Sequence, residues 1–236
     1  MKVAIMQPYF MPYLGYFSLI KHTDLFILFD TPQYIRHGWI ERNRILKLDG
    51  EPSYLKVPLQ KHRRETPINL IQINNQLAWK QKILAQIVHY KKKAPNYLVV
   101  VKLLDKVFED DFISIVDLNY KCLTVIGEYI GISTPIKIWS EMKLDINDVH
   151  APDEWALNIC NKLGAKTYYN PIGGKTFFNS EKYKKMGVNL KFLDITAMSY
   201  QQFNNEFVPF LSILDVLMFC DKDTINSMLD QVNFID

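Results

Sequence analysis

Two strand-length apolar runs, Lys2-Val3-Ala4-Ile5-Met6 and Leu25-Phe26-Ile27-Leu28-Phe29, lie close together near the amino terminus, with the segment Leu14 to Lys21 between them. Phe17, Leu19 and Ile20 give that segment an apolar side, so the spacing predicts a short helix. Strand, helix and strand in this order make a right-handed βαβ unit with parallel strands, which admits few folds. Between strand and helix runs an aromatic, proline-bracketed loop, Gln7-Pro8-Tyr9-Phe10-Met11-Pro12-Tyr13. In open α/β sheets the loops leaving the carboxyl ends of parallel strands form the ligand crevice. Gln7 and Asp30, at two successive strand ends, are therefore the first candidates for a site.

The rest of the chain repeats the alternation. Strands are expected at 2–6, 25–30, 53–58, 135–139, 166–170 and 189–194, and helical patterns fill most of the remainder. The predicted class is α/β, a mostly parallel, open, Rossmann-like sheet with a helical insertion. Residues 76–131 are helical in pattern, broken at Ala94-Pro95-Asn96, and form a candidate subdomain between the two α/β portions. Asp153 to Leu163 is expected as a helix ended by Gly164, with Asp153 as its cap and His150 just before it. Phe210 to Cys220 is expected as a buried helix.

A chain of 236 residues, 48% of them hydrophobic, can bury one sizeable core, so one domain over 1–236 is expected. The net charge of +3 is nearly balanced, which gives no footprint for a nucleic acid. The terminal apolar stretch is interrupted by Gln7, Pro8 and Pro12, unlike a signal peptide or membrane helix. No membrane insertion is expected. Cys122, Cys160 and Cys220 are odd in number and widely spaced, which fits reduced thiols and the cytoplasm.

The chemistry-bearing residues cluster after the second strand. Asp30 is followed by Gln33 and then by His37-Gly38-Trp39-Ile40-Glu41-Arg42-Asn43-Arg44. A carboxylate, an imidazole, two guanidiniums and amides so close together suit phosphate and sugar hydroxyls, because Arg offers phosphate a two-pronged fork. An ordinary surface loop, with its arginines paired to Glu41 and Glu51, has the same composition. His37 is a candidate base because imidazole titrates near neutral pH. Asp30 is a second candidate, since a carboxylate ending an apolar strand is costly to bury unless something pairs with it.

A second cluster is Tyr168-Tyr169-Asn170-Pro171-Ile172-Gly173-Gly174-Lys175-Thr176. Paired glycines after a strand let backbone approach a ligand and offer amides to an anion, although the spacing is not that of a phosphate-binding loop. A tight turn accounts for them equally well. Ser212 and Asp215 share a helix face, with structural hydrogen bonding or the crevice floor as their roles. The histidines and cysteines have no metal-ligand spacing, so no metal is expected.

The ordered set Gln7-Pro8-Tyr9-Phe10, Pro12, Gly15-Tyr16-Phe17, Asp24 to Asp30, Gln33, Trp39, Arg42-Asn43-Arg44, Val57-Pro58, Tyr169, Gly173-Gly174 and Leu211 to Asp215 resembles the WbqC-like protein family. It spans nearly the whole chain. One departure stands out: the family's usual opening has histidine before Gln-Pro, and this chain has Met6. The resemblance implies a setting in bacterial O-antigen and other surface-polysaccharide pathways, lipopolysaccharide included, some of which make N-acylated amino sugars.

The first half also resembles pantothenate-synthetase-like nucleotidyltransferases. Pro12 and Tyr16 roughly occupy the places of that group's two motif histidines, which would cripple adenylyl transfer. The expected activity is N-acyl transfer, aminoacyl groups included, to the amine of a nucleotide-linked deoxyamino sugar. The donor is an acyl thioester on coenzyme A or an acyl carrier protein, with no tightly bound cofactor. Asp30, His37 and Gln7 are the expected catalytic set. Tyr9, Gln33, Trp39, Arg42, Asn43, Arg44, Asn170, Gly173, Gly174, Ser212 and Asp215 are the expected substrate contacts. Two alternatives are a glycosyltransferase of the same pathway, here without a D-x-D element, and a non-catalytic protein that binds a carrier through Lys91 to Lys93.

Overall fold

The computed structural model describes residues 1–195, 199–203 and 206–236. The chain opens as predicted, with β1 (Lys2–Met6), α1 (Leu14–Lys21) and β2 (Leu25–Leu28). It continues through β3 (Arg42–Leu46), β4 (Pro52–Lys56), α2 (Trp79–Ile87), α3 (Tyr97–Phe108) and α4 (Ile115–Tyr129). Next come β5 (Ile136–Ile138), α5 (Trp139–Met142), α6 (Glu154–Lys162), β6 (Thr167–Pro171), α7 (Ser180–Lys185) and β7 (Asn189–Asp194). The chain ends with α8 (Ile213–Phe219), α9 (Lys222–Asp230) and β8 (Asn233–Ile235).

Six strands form one sheet in the order β5-β2-β1-β6-β7-β8, parallel except for the β7/β8 pair. The mostly parallel α/β class therefore holds. Successive side chains point to opposite faces, and both faces are covered. On one side Ala4, Phe26, Leu28 and Tyr169 join α1 and α8 in the larger core; on the other Val3, Ile5, Leu25, Ile27 and Tyr168 pack with α6. Buried residues of α2, α3 and α4 belong to that same larger core, continuous with β1 and β2.

Four expectations needed correction. The 53–58 strand lies outside the main sheet: β4 pairs antiparallel with β3 in a separate two-stranded ribbon. Arg42 to Arg44 form a strand where a loop was expected, since Asn43 and Ile45 are buried while Arg42 and Arg44 alternate outward. The expected 210–220 helix starts later, because Phe210 has a φ of 56° and Ser212 caps α8 through Leu214 N. Gly164, with φ 67°, follows α6 where predicted, in a left-handed conformation that glycine adopts without strain. The Asp153 carboxylate does not cap α6 but pairs with Lys182 Nζ at 3.1 Å, while Glu154 accepts from the His150 and Ala151 amides.

Candidate functional site

Strand order reverses between β1 and β6: from β1 the chain first moves outward to β2 and β5, then returns to lay β6 on the other side of β1. Loops that leave neighbouring strands in opposite directions open a crevice at such a switch point. A cleft of about 790 Å³ lies there, lined by Gln7, Pro8 and Tyr9 after β1, Phe29, Thr31 and Pro32 after β2, and Asn170 and Gly174 at β6. Trp39 closes one side, Trp155 of α6 and Phe177 another. The volume suits a ligand larger than a simple metabolite.

The polar groups are few and held in defined positions. Tyr16 donates its hydroxyl to the Gln7 carbonyl at 2.8 Å, and burial raises the Tyr16 pKa well above its ordinary value, keeping it a neutral donor. The backbone of Gln7 is therefore anchored, while among the described residues its side-chain amide has no protein hydrogen-bond partner. Asn170 is nearly buried, accepts from Tyr168 Oη at 3.2 Å and donates to the Pro171 carbonyl at 2.9 Å. A Cβ on Gly174 would fall 2.1 Å from Asn170 Nδ2, so the absence of a side chain there is what lets the amide sit over this turn. Gly173 faces open space.

Tyr9 and Trp39 extend the site outward. Their rings stack with centroids 5.8 Å apart and 25° between planes, and burial, then Tyr13, raise the Tyr9 pKa against the pull of Arg44. The Tyr9 loop is fixed from below. Met11, at φ 44°, offers its carbonyl to both Asn43 Nδ2 and Ser212 Oγ. Asn43 and Ser212 are wholly buried and lie outside the cleft lining; they hold the loop that carries Tyr9.

The remaining candidates lie elsewhere. Asp30 falls between Phe29 and Thr31, which both line the cleft, but it points away: its carboxylate accepts from Ser140 N at 3.0 Å and Ser140 Oγ at 2.6 Å at the start of α5. His37 is exposed in a turn with φ 63°, its carbonyl taken by Arg42 Nη2. Gln33 is exposed and donates to the Arg64 carbonyl at 2.9 Å. Asp215 is fully buried and accepts from Tyr90 Oη and from Tyr200 Oη at 2.7 Å. Burial lifts the Asp215 pKa even though both hydroxyls favour its charged form.

Lys91 to Lys93 are exposed. Burial pushes the thiols of Cys160 and Cys220 up to about 12 and about 11, and raises Cys122 as well, so none is a ready thiolate. Sequence reasoning missed Phe29, Trp155, Phe177 and Phe178 as cleft walls, while Tyr168, which opens the second cluster, does line the cleft. Aromatic residues flanking strand ends were the available signal.

Fold and site together define an α/β protein with a large cleft at a topological switch point. No helix among the described residues is long and apolar enough to cross a membrane. The chain belongs to the WbqC-like protein family, whose model matches residues 7–227. It is also similar to the Mycobacterium tuberculosis (strain ATCC 25618 / H37Rv) protein named Uncharacterized protein Rv1507c, with 27% identity over 92% of each chain. No solved structure matches the chain.

Proposed function

We propose that this protein is an N-acyltransferase of surface-polysaccharide biosynthesis, moving an acyl or aminoacyl group from a thioester donor to the amine of a nucleotide-linked deoxyamino sugar. The observation that carries the reading is the cleft, where the anchored Gln7, whose amide has no partner among the described residues, and Asn170 are set among aromatic walls at the switch point. A donor on coenzyme A or an acyl carrier protein places its carbonyl beside Gln7, whose amide donates to the developing oxyanion. The sugar amine attacks that carbonyl, the C–N bond forms, the C–S bond breaks and the thiolate leaves. The amine proton passes to water, because the Asp30 carboxylate is turned toward α5 and His37 sits on an exposed turn. The nucleotide end lies toward Trp39 and the Arg42 and Arg44 face of β3.

A binding-protein reading is favoured by one fact: no carboxylate or imidazole among the described residues lines the cleft. Mass spectrometry separates the two. Purified protein is incubated with nucleotide-linked amino sugars and acyl thioesters, with Gln7→Ala as control. A protein-dependent product heavier by the acyl mass, reduced in the control, is the expected result. Ligand binding with no product favours the binding protein, and release of nucleoside diphosphate in the presence of a glycosyl acceptor favours glycosyl transfer.

A further inference from the structure

One face of the β3–β4 ribbon is strongly basic and aromatic and takes no part in the core. In the antiparallel register Arg42 stands opposite Lys56, and Arg44 opposite Tyr54. Like charges directly across such a pair repel, yet none of the ion pairs among the described residues involves Arg42, Arg44 or Lys56. Arg44 Nε is buried without a hydrogen-bond partner among the described residues. The rings continue from the cleft: Trp39, already stacked on Tyr9, lies 6.5 Å from Tyr54 at 29°. The Arg44 guanidinium is 5.7 Å from the Trp39 ring and that of Arg42 is 4.6 Å from the Tyr54 ring. Arg42 also donates through Nε to the Gly38 carbonyl at 3.0 Å, which ties down the turn bearing Trp39.

We propose that this face is a diphosphate subsite, with Arg44 and Lys56 contacting the anion, Arg42 holding the Trp39 turn, and the exposed rings of Tyr54 and Trp39 flanking a flat group on the same ligand. Arg44 supplies fixed, partly desolvated donors, and Lys56 a mobile charge that an anion would bring into balance with Arg42. The other end of the ligand reaches the cleft past Tyr9. The identity of that ligand rests on the proposed function, and two molecules of that reaction share the chemistry: the nucleotide-linked sugar and coenzyme A both carry a pyrophosphate.

The full chain is titrated by calorimetry with inorganic pyrophosphate, UDP, dTDP and coenzyme A, for the wild type, Lys56→Ala, Arg44→Gln and Tyr54→Ala. The expected result is salt-sensitive binding of diphosphates that Lys56→Ala weakens about tenfold, with thermal stability unchanged or slightly raised. Tyr54→Ala is expected to weaken the nucleotides and leave pyrophosphate unaffected. Tighter binding of UDP or dTDP assigns the face to the acceptor, and tighter binding of coenzyme A assigns it to the donor. Absence of diphosphate binding by the wild type overturns the subsite. So does wild-type affinity in Lys56→Ala, which remains decisive if Arg44→Gln fails to fold. Ribbon-dependent binding without any acyl product would refute the acyltransferase and leave the subsite standing. Acyl transfer with unchanged KM in Lys56→Ala would do the reverse.

Discussion

Two sets of polar side chains serve opposite ends. Asn43, Ser212 and Asp215 are fully buried, and each has protein partners: the Met11 carbonyl for the first two, Tyr90 and Tyr200 for the third. Gln7 and Asn170 face the cleft, and the Gln7 side chain has no partner among the described residues. Residue type does not separate the groups, since each contains an amide. What sets Gln7 apart is satisfaction, because a buried polar group needs a partner from the protein whereas a group at a cleft wall is free to take one from a ligand; Asn170 stands between, at the cleft wall yet bonded to Tyr168 and Pro171.

The sharpest way to break the comparison is at Asp215. Asp215→Ala strips two tyrosine hydroxyls of their acceptor and opens space in the core, and about 3 kcal/mol of stability is expected to be lost in urea unfolding. Asp215→Asn keeps an acceptor and should lose much less. The pair also differs in pH dependence. Folding raises the pKa of this acid above its ordinary value, so across that interval the native state holds a proton that the unfolded chain has released. Stability at this site therefore falls as pH rises through the interval and recovers on acidification. Asp215→Asn is expected to flatten that component of a stability-against-pH curve, and an unchanged curve would place the titration elsewhere.

Asn43→Ala is the next largest. It removes a donor from the Met11 carbonyl and the acceptor of Arg44 N at 2.7 Å, with about 2 kcal/mol expected in the same assay. Because the Tyr9 loop is released, ligand affinity should fall as well, which makes this variant a bridge between the two sets.

How far sequence alone separates these roles follows from periodicity. The βαβ opening and both core faces were legible because β1 and β2 are apolar on both sides, a pattern that only a covered parallel sheet explains. The ribbon was not: Arg42 and Arg44 alternating with a buried asparagine and an isoleucine look like a polar loop until Leu55 and Ile45 are seen in the core. Asp30 was legible as a strand end. Its direction follows from the same two-residue alternation that sends Phe29 and Thr31 into the cleft, but its partner, Ser140, lies more than a hundred residues away, and no local pattern points to it. The cleft's aromatic walls come from segments whose stronger local signals, a helix start before Trp155 and paired glycines before Phe177, drew attention to backbone instead.

Gly174→Ala tests the cleft side at smaller stability cost. The added methyl meets the end of a flexible side chain, so Asn170 rotates away, losing its bonds to Tyr168 and Pro171 at about 1 kcal/mol. Ligand affinity is expected to fall more than stability, as measured by calorimetry beside thermal unfolding. Equal losses would make Asn170 a turn residue only.

Gln7→Ala has the smallest expected effect on the fold. Its backbone carbonyl, which holds Tyr16, survives the substitution, and the lost amide leaves no described protein group unpartnered, so stability should change by less than about 0.5 kcal/mol. Under the proposed chemistry the amide matters only when an oxyanion forms beside it. That predicts a fall in kcat by about a hundredfold with little change in KM, the signature of an interaction made in the transition state. A rise in KM at constant kcat would make Gln7 a substrate-binding group and move the oxyanion contact to the backbone near Gly174. If the variant is destabilised to the extent of Asn43→Ala, Gln7 belongs with the buried set, and the division between a satisfied scaffold and the open amide of the cleft fails.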